Sequence, residues 1–235
     1  MFKKKQQIIL CVPDLHIPYE HPDALKFLKA VKKKYNPTEI VFLGDEVDYH
    51  AISFHDSVPD LPSAGEELKR AILHLQDYYK LFPKAKLLES NHGSLVLRKA
   101  INAGLPSKVI RHYNEILEAP RQWSWHFDIT LDSPTGRVYF HHGKSSVPGK
   151  LSQNMAVSSV QGHYHSKFYI HYWSSPTGLY FDMNVGSLVN KKSLAMAYAK
   201  NSLARPVSGC AVIINGIPRL IPMILNDRGR WNGKL

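Results

Sequence analysis

The stretch "IILCVPDLH", Ile8 to His16, decides how the chain is read. Its first five residues, Ile8–Val12, are apolar and partly β-branched, so they predict a short buried strand. Asp14 and His16 follow directly, at the C-terminal end where α/β sheets build their sites. Alternate side chains share a face, so a carboxylate and an imidazole could meet at one point and form half of a metal site. A loop start with an Asp/His turn is the competing explanation. Working outward, "HPDALKFLKAVKKKYNP" places Leu25, Leu28 and Val31 at helical spacing. "TEIVFLGDEVD" then gives a second strand, Glu39–Leu43. Strand, helix and strand in that order predict a βαβ unit with a parallel pair.

The same reading extends along the chain. "AGEELKRAILHLQDYYKLFP" is a helix stopped by Pro83, "AKLLES" a third strand, and "SLVLRKAINAG" a further helix ending at Gly104. Residues 105–128 leave the element type open, and "HYNEILEAPRQWSWHF" within them could be helix followed by loop. "FDITLDSPTGRVYFHHG" and "FYIHYWSSPTGLYFDMNVGS" each read as a hairpin turning at "SPTG", and "GCAVIINGIPRLIPMIL" as a β pair turning at "NG". With no low-complexity linker, residues 1–235 are expected to pack as one domain.

Composition narrows the classes. The 235 residues are 44% hydrophobic and 21% charged, which suits a globular chain. No apolar run reaches the ~20 residues of a membrane helix. The apolar stretch after the basic start is too short for a signal peptide, so a cytoplasmic protein is expected. Cys11 and Cys210 sit in apolar sequence and are expected to be free buried thiols. The net charge of +11, with lysines clustered at Lys3–Lys5 and Lys32–Lys34, attracts phosphate-bearing partners. It does not separate nucleic acid from small nucleotides.

Five polar motifs stand at strand ends or in loops: "DLH" (Asp14, His16), "GDEVD" (Asp45, Asp48), "SNHG" (Asn91, His92), "FHHG" (His141, His142) and "GHYH" (His163, His165). Each has a bland explanation, such as a helix cap at Asp45, a turn at Asn91 or an aromatic-polar strand at "GHYH". His141 and His142 are adjacent on a strand, so only one of them faces any shared site.

Taken in order, D-x-H, G-D-x-x-D, N-H, H-G and G-H-x-H resemble the calcineurin-like metallophosphoesterase superfamily. The resemblance spans residues 14–165, and "MNVGSL" at 183–188 resembles its closing segment. "GDEVDYHAISFHD" is similar to small phage and bacterial members. The resemblance implies an α/β fold, a four-layer sandwich of two mixed β-sheets with helices outside. It implies two divalent ions, one held by Asp14, His16, Asp45 and His165, the other by Asp45, Asn91, His142 and His163. Mixed oxygen and imidazole ligands suit Mn²⁺, Fe, Zn²⁺ or Ni²⁺ rather than a purely oxygen-liganded Mg²⁺ or Ca²⁺ site; Mn²⁺ is expected first, with Fe, Zn²⁺, Ni²⁺, Co²⁺ or Mg²⁺ as alternatives.

The implied reaction is hydrolysis of a phosphate ester by metal-held hydroxide, with His92 protonating the leaving group and Asp48 orienting His92. His142 is taken over His141 because the superfamily's ligand directly precedes the glycine. Two departures stand out: Ser90 and Gly93 flank Asn91–His92 where the superfamily has glycine and an acid, and Tyr49 stands where an arginine often follows Asp48. Arg98, Lys144, His50 and His55 could replace that arginine. Tyr49, Phe54, Trp123 and Trp125 could stack on a base or belong to the core. The expected substrate is a nucleoside monophosphate; a nuclease or phosphodiesterase, and an inactive binding scaffold, are the alternatives.

Overall fold

The computed structural model describes residues 6–54, 59–193 and 203–235. Lys3–Lys5 and His55 lie outside the described residues. The strands are β1 (Ile8–Val12), β2 (Glu39–Phe42), β3 (Ala85–Leu88), β4 (Trp123–His126), β5 (Ile129–Ser133), β6 (Gly136–His141), β7 (Ser158–Gln161), β8 (Phe168–Ser175), β9 (Gly178–Val185), β10 (Gly209–Ile214) and β11 (Ile217–Pro222). The helices are α1 (Ala24–Tyr35), α2 (Ala64–Leu81), α3 (Leu95–Asn102), α4 (Tyr113–Ile116) and α5 (Lys150–Met155).

Two mixed sheets result, ordered β11-β10-β1-β2-β3-β4 and β5-β6-β7-β9-β8. In the first, β1 to β4 run parallel and β10 and β11 are added antiparallel. In the second, the parallel run β6-β7-β9 is flanked by antiparallel β5 and β8. Alternation along β1 shows how the layers stack. Ile8, Leu10 and Val12 pack with Phe27, Leu28 and Leu75 of the helices. Ile9 and Cys11 face the other way, onto Phe140, Val160 and Met183 of the second sheet. The sheets lie face to face over that second cluster, with α1 and α2 outside the first sheet and α5 against β7 and β9.

Local rules account for the elements. Ser63 caps α2, accepting from the Glu66 N–H at 3.4 Å. Asn36 ends α1 in the left-handed region at φ 46°, and Lys32–Lys34 fill the last turn, where the helix dipole favours cations. Part of the lysine clustering therefore serves helix α1. Asn215 and Gly216, at φ 49° and 85°, make the tight turn between β10 and β11. Cys11 and Cys210 are buried free thiols.

Two segments differ from the sequence expectation. Residues 105–128 end in β4, which pairs parallel with β3. Its core signal is confined to Trp123, which is buried and donates its Nε1–H to the Phe82 carbonyl at 2.7 Å. Strand β7, "SSVQ", shows no hydrophobic pattern because, apart from Val160, its buried side chains are polar. Ser159 donates to Asp182 at 2.6 Å, and Gln161 ties down the chain at Lys144 and Ser145.

A distant tie closes the first helical layer. Asp23 precedes α1 and accepts from Arg230 Nε at 2.7 Å, Arg230 Nη2 at 2.5 Å and the Trp231 N–H at 3.0 Å. The Arg230 bonds hold the Asp23 carboxyl down at about 2. We expect Asp23→Ala to lower the melting temperature by about 4 °C, a modest loss because Arg230 is largely exposed. The native carboxyl is depressed, so its contribution is complete above about pH 4 and is lost as pH falls towards about 2. Melting curves of parent and variant should converge over that interval; a constant gap would mean that charge plays no part.

Candidate metal centre

Five parallel-running strands end at one place. Asp14 and His16 follow β1, Asp45 follows β2, Asn91 and His92 follow β3, His142 follows β6, and His163 and His165 follow β7. The strand ends from both sheets converge there, so residues distant in sequence become neighbours. Three ligand-bearing residues hold left-handed backbones: His16 at φ 53°, Asp45 at 48° and His163 at 65°. Side chains rarely adopt this region, and such strain gathers at functional sites. Gly162 is needed for space: a methyl group there would collide with Asp14 Oδ1.

The ring nitrogens are oriented from behind. His16 Nδ1 meets Asp48 Oδ1 at 2.5 Å, and His142 Nδ1 meets the Leu43 carbonyl at 2.7 Å. Each bond assigns the hydrogen to Nδ1 and turns Nε2 inward. His16 Nε2 then lies 3.1 Å from His165 Nε2 and 3.5 Å from Asp45 Oδ2. His165 Nε2 lies 3.1 Å from Asp14 Oδ2. On the other side, His142 Nε2 is 3.2 Å from Asp45 Oδ2, 2.8 Å from Asn91 Oδ1 and 3.2 Å from His163 Nδ1. Asp45 thus stands between two sets, while its Oδ1 accepts the His92 N–H at 3.2 Å.

Among the described residues, three groups could hold a metal ion: Asp14, His16, Asp45 and His165; Asp45, His142 and His163; and His16, Asp48 and His92. The fit is chemical as well as geometric. Lone pairs of nitrogen and oxygen converge, and buried Asp14 Oδ1 has no hydrogen-bond partner. Such a gathering calls for positive charge at its centre, and its mixed donors suit a transition metal. The protein's own charges respond accordingly. Burial would raise the Asp45 carboxyl, but His142, His92 and His16 outweigh it and hold it well below the usual range. Burial lowers His142, yet the Asp45 carboxylate overrides this and lifts it to about 9. His16 is lowered, by burial first and by nearby His92 second.

Asp48 stands differently from the expectation that its carboxylate orients His92. Its carboxylate is committed to His16 and lies 3.5 Å from His92 Nδ1, beyond a good hydrogen bond. The main-chain carbonyl of Asp48 takes His92 Nδ1 instead. We therefore expect Asp48→Ala to weaken metal affinity by about 10- to 100-fold, with Asp48→Asn milder because it keeps an acceptor. Calorimetric metal titration measures this. An effect confined to poor leaving groups, at unchanged metal affinity, would return the carboxylate to His92.

The surrounding residues complete the picture. His141 points away, stacked near Tyr139 and edge-on to Phe127, and accepts from the Gly143 N–H at 3.0 Å. Asn184, of the "MNVGSL" segment, donates to the Gly162 carbonyl at 3.1 Å, and the Leu188 N–H donates to the Asp14 carbonyl at 2.8 Å. Ser90 closes the Asn91–His92 loop by accepting from the Gly93 N–H at 3.0 Å. Of the arginine substitutes, Arg98 reaches that loop, donating to the Asn91 carbonyl at 2.5 Å with Phe54 beneath it. Lys144 lies over Phe127, and His50 lies near Asp48 Oδ2 at 3.9 Å.

Tyr49 and Trp123 are core residues. The sequence reading missed Glu67, buried on α2, which accepts from the His50 and Ala51 N–H groups at 2.7 and 2.9 Å and braces the loop after Asp48. It also missed Glu46. A charged residue on an otherwise apolar helix face was the only available signal for Glu67.

No protein-family model matches the chain, and no curated protein does. Solved structures do. Vps29 of Chaetomium thermophilum superposes with a TM-score of 0.51 at 14% identity, covering 97% of this chain and 94% of that one. The same protein complexed with a cyclic peptide gives 0.50 at 12% identity, with the same coverage. YfcE, a phosphoesterase from E. coli, gives 0.48 at 13%, covering 96% and 97%. The two-sheet architecture is the calcineurin-like metallophosphoesterase fold. Among the described residues no helix is long and apolar enough to cross a membrane.

Proposed function

We propose that the chain is a metal-dependent phosphoesterase that releases phosphate from a nucleoside monophosphate in the cytoplasm. One observation carries this reading: Asp14, His16, Asp45, Asn91, His142, His163 and His165 turn their donor atoms to one centre. We assign two divalent ions to it, Mn²⁺ foremost. Asp14, His16, Asp45 and His165 would hold one, and Asp45, Asn91, His142 and His163 the other. Bound ions would neutralise phosphate charge and supply a nucleophile at neutral pH. The protein's part is orientation and proton delivery. His92, anchored through Nδ1, keeps Nε2 for the leaving oxygen. Arg98 is placed to grip a phosphate oxygen on the Asn91 side.

The test is metal removal and return. Stripped protein should be inactive, and Mn²⁺ should restore release of phosphate from nucleoside monophosphates with a near-flat response to salt. Cleavage of DNA or RNA with steep salt dependence and no action on mononucleotides would replace this substrate with a polymer, which the +11 charge favours. A second reading is a binding scaffold, suggested by the fold likeness to Vps29, one structure of which holds a cyclic peptide. Metal binding without turnover of any ester would establish it.

A further inference from the structure

We infer that Glu67 is a positioning residue of the metal centre: from helix α2 it pins the turn after Asp48, whose carbonyl holds the His92 ring in place for proton delivery. This rests on the phosphoesterase reading and adds to it a residue outside the ligand set.

Glu67 sits in the first turn of α2 and is only 2% exposed. An acid there suits the helix dipole. Its exposed neighbour Glu66 already fills that part, accepting from Arg70 Nε at 3.0 Å. Burying a carboxylate is costly unless its oxygens are used. Both are used here, on the backbone of another segment. Oε1 accepts the His50 N–H at 2.7 Å and Oε2 the Ala51 N–H at 2.9 Å. These are the first two donors of a single 3-10 turn, His50–Ile52, and no carbonyl of that turn can reach them. Glu67 therefore caps the turn from outside.

What precedes the turn gives this brace its consequence. Tyr49 holds a left-handed backbone at φ 54°, a conformation that persists only where the surroundings impose it. Its buried ring anchors one side of the bend, and the Glu67 clamp on the next two N–H groups anchors the other. The bend sends the two acceptors of Asp48 to different imidazoles: Oδ1 to His16 Nδ1 at 2.5 Å, and the carbonyl to His92 Nδ1. If the bend relaxed, the Asp48 carboxylate could follow His16 through its own side-chain torsions. The carbonyl has no such freedom, because it turns with the peptide plane between Asp48 and Tyr49. Glu67 thus acts on His92 more than on His16.

Glu67→Gln tests this, since it keeps the size and sets an amide NH₂ against one of the two backbone donors. On the metal-saturated full chain it should lower kcat on a nucleoside monophosphate by about 10- to 100-fold. It should cost far less on 2,4-dinitrophenyl phosphate, whose leaving group needs no proton. In a His92→Ala background the same substitution should cost almost nothing, because its effect runs through that ring. A readout without turnover accompanies these rates. With diamagnetic Zn²⁺ bound, the His92 Nδ1 proton, assigned by its loss in His92→Ala, should give a sharp NMR signal in the parent and a shifted or broadened one in the variant. Glu67→Asp, which keeps the charge but shortens the reach, is measured in the same way if Glu67→Gln fails to fold. A folded variant that slows both esters equally, adds its full cost to that of His92→Ala, or leaves the His92 signal unchanged would overturn the proposal and leave Glu67 a stabiliser of α2. A parent that turns over no ester ends the phosphoesterase reading instead, and the NMR comparison still decides whether Glu67 positions His92.

Discussion

Asp45→Asn is expected to reduce kcat/KM by at least ~10³-fold and to remove at least half of the bound metal. The size follows from the place of this carboxylate. One oxygen lies 3.5 Å from His16 Nε2 and 3.2 Å from His142 Nε2, so it faces both sets of ligands at once. A carboxamide has no charge to offset the two proposed cations, and its nitrogen cannot coordinate. Losing several kcal/mol of charge stabilisation corresponds to a thousandfold or more in rate. Asn is the informative replacement because it matches the shape and tolerates the left-handed backbone that Asp45 adopts at φ 48°. Its side-chain oxygen can still accept the His92 N–H, now at 3.2 Å from Oδ1, so the loop after β3 should keep its position. Elemental analysis of the purified variant, with circular dichroism to confirm its folding, gives the result. A folded Asp45→Asn variant with the parent's metal content and rate would show that the carboxylate does not bridge the two sets.

How much of this was legible beforehand follows from what each residue type signals. The βαβ opening was visible because Ile8–Val12 and Leu25, Leu28 and Val31 carry unmixed strand and helix periods. The seven proposed ligands could be picked out because each stands in a short polar motif after an apolar strand, and the structure brings those strand ends together. Strand β7 was illegible because Ser159 and Gln161 are buried by hydrogen bonding, which leaves no apolar pattern. The division of labour at Asp48 was also beyond the sequence. A motif places a carboxylate near two imidazoles but does not say which one it touches. Here the left-handed turn at Tyr49, φ 54°, accompanies a side chain on His16 and a carbonyl on His92. Glu46 was hidden for a related reason: between two motif aspartates, an acid looks like one more solvated charge until its burial is seen.

His92→Ala should lower kcat by about 10²- to 10⁴-fold for an ester with a poor leaving group, such as a nucleoside monophosphate, and by far less for 2,4-dinitrophenyl phosphate. The difference arises because an alkoxide must be protonated as it departs, whereas dinitrophenolate leaves unaided. The geometry prepares His92 for that step. The Asp48 carbonyl engages Nδ1, so the ring is fixed and Nε2 remains for exchange. Burial lowers its proton affinity, but the Asp45 and Asp48 carboxylates outweigh burial and raise it, so the ring holds a proton more readily than a free imidazole. Alanine leaves the main-chain bond from residue 92 to Asp45 intact, so the ligands on either side should stay in place. Metal content is therefore the decisive companion measurement. His92 also groups with His16 and Asp48 in an arrangement that could itself hold an ion. If the variant retains the parent's metal and loses rate only with poor leaving groups, His92 is the acid. If it sheds metal and slows equally on both esters, His92 is a ligand, and the proton must come from elsewhere.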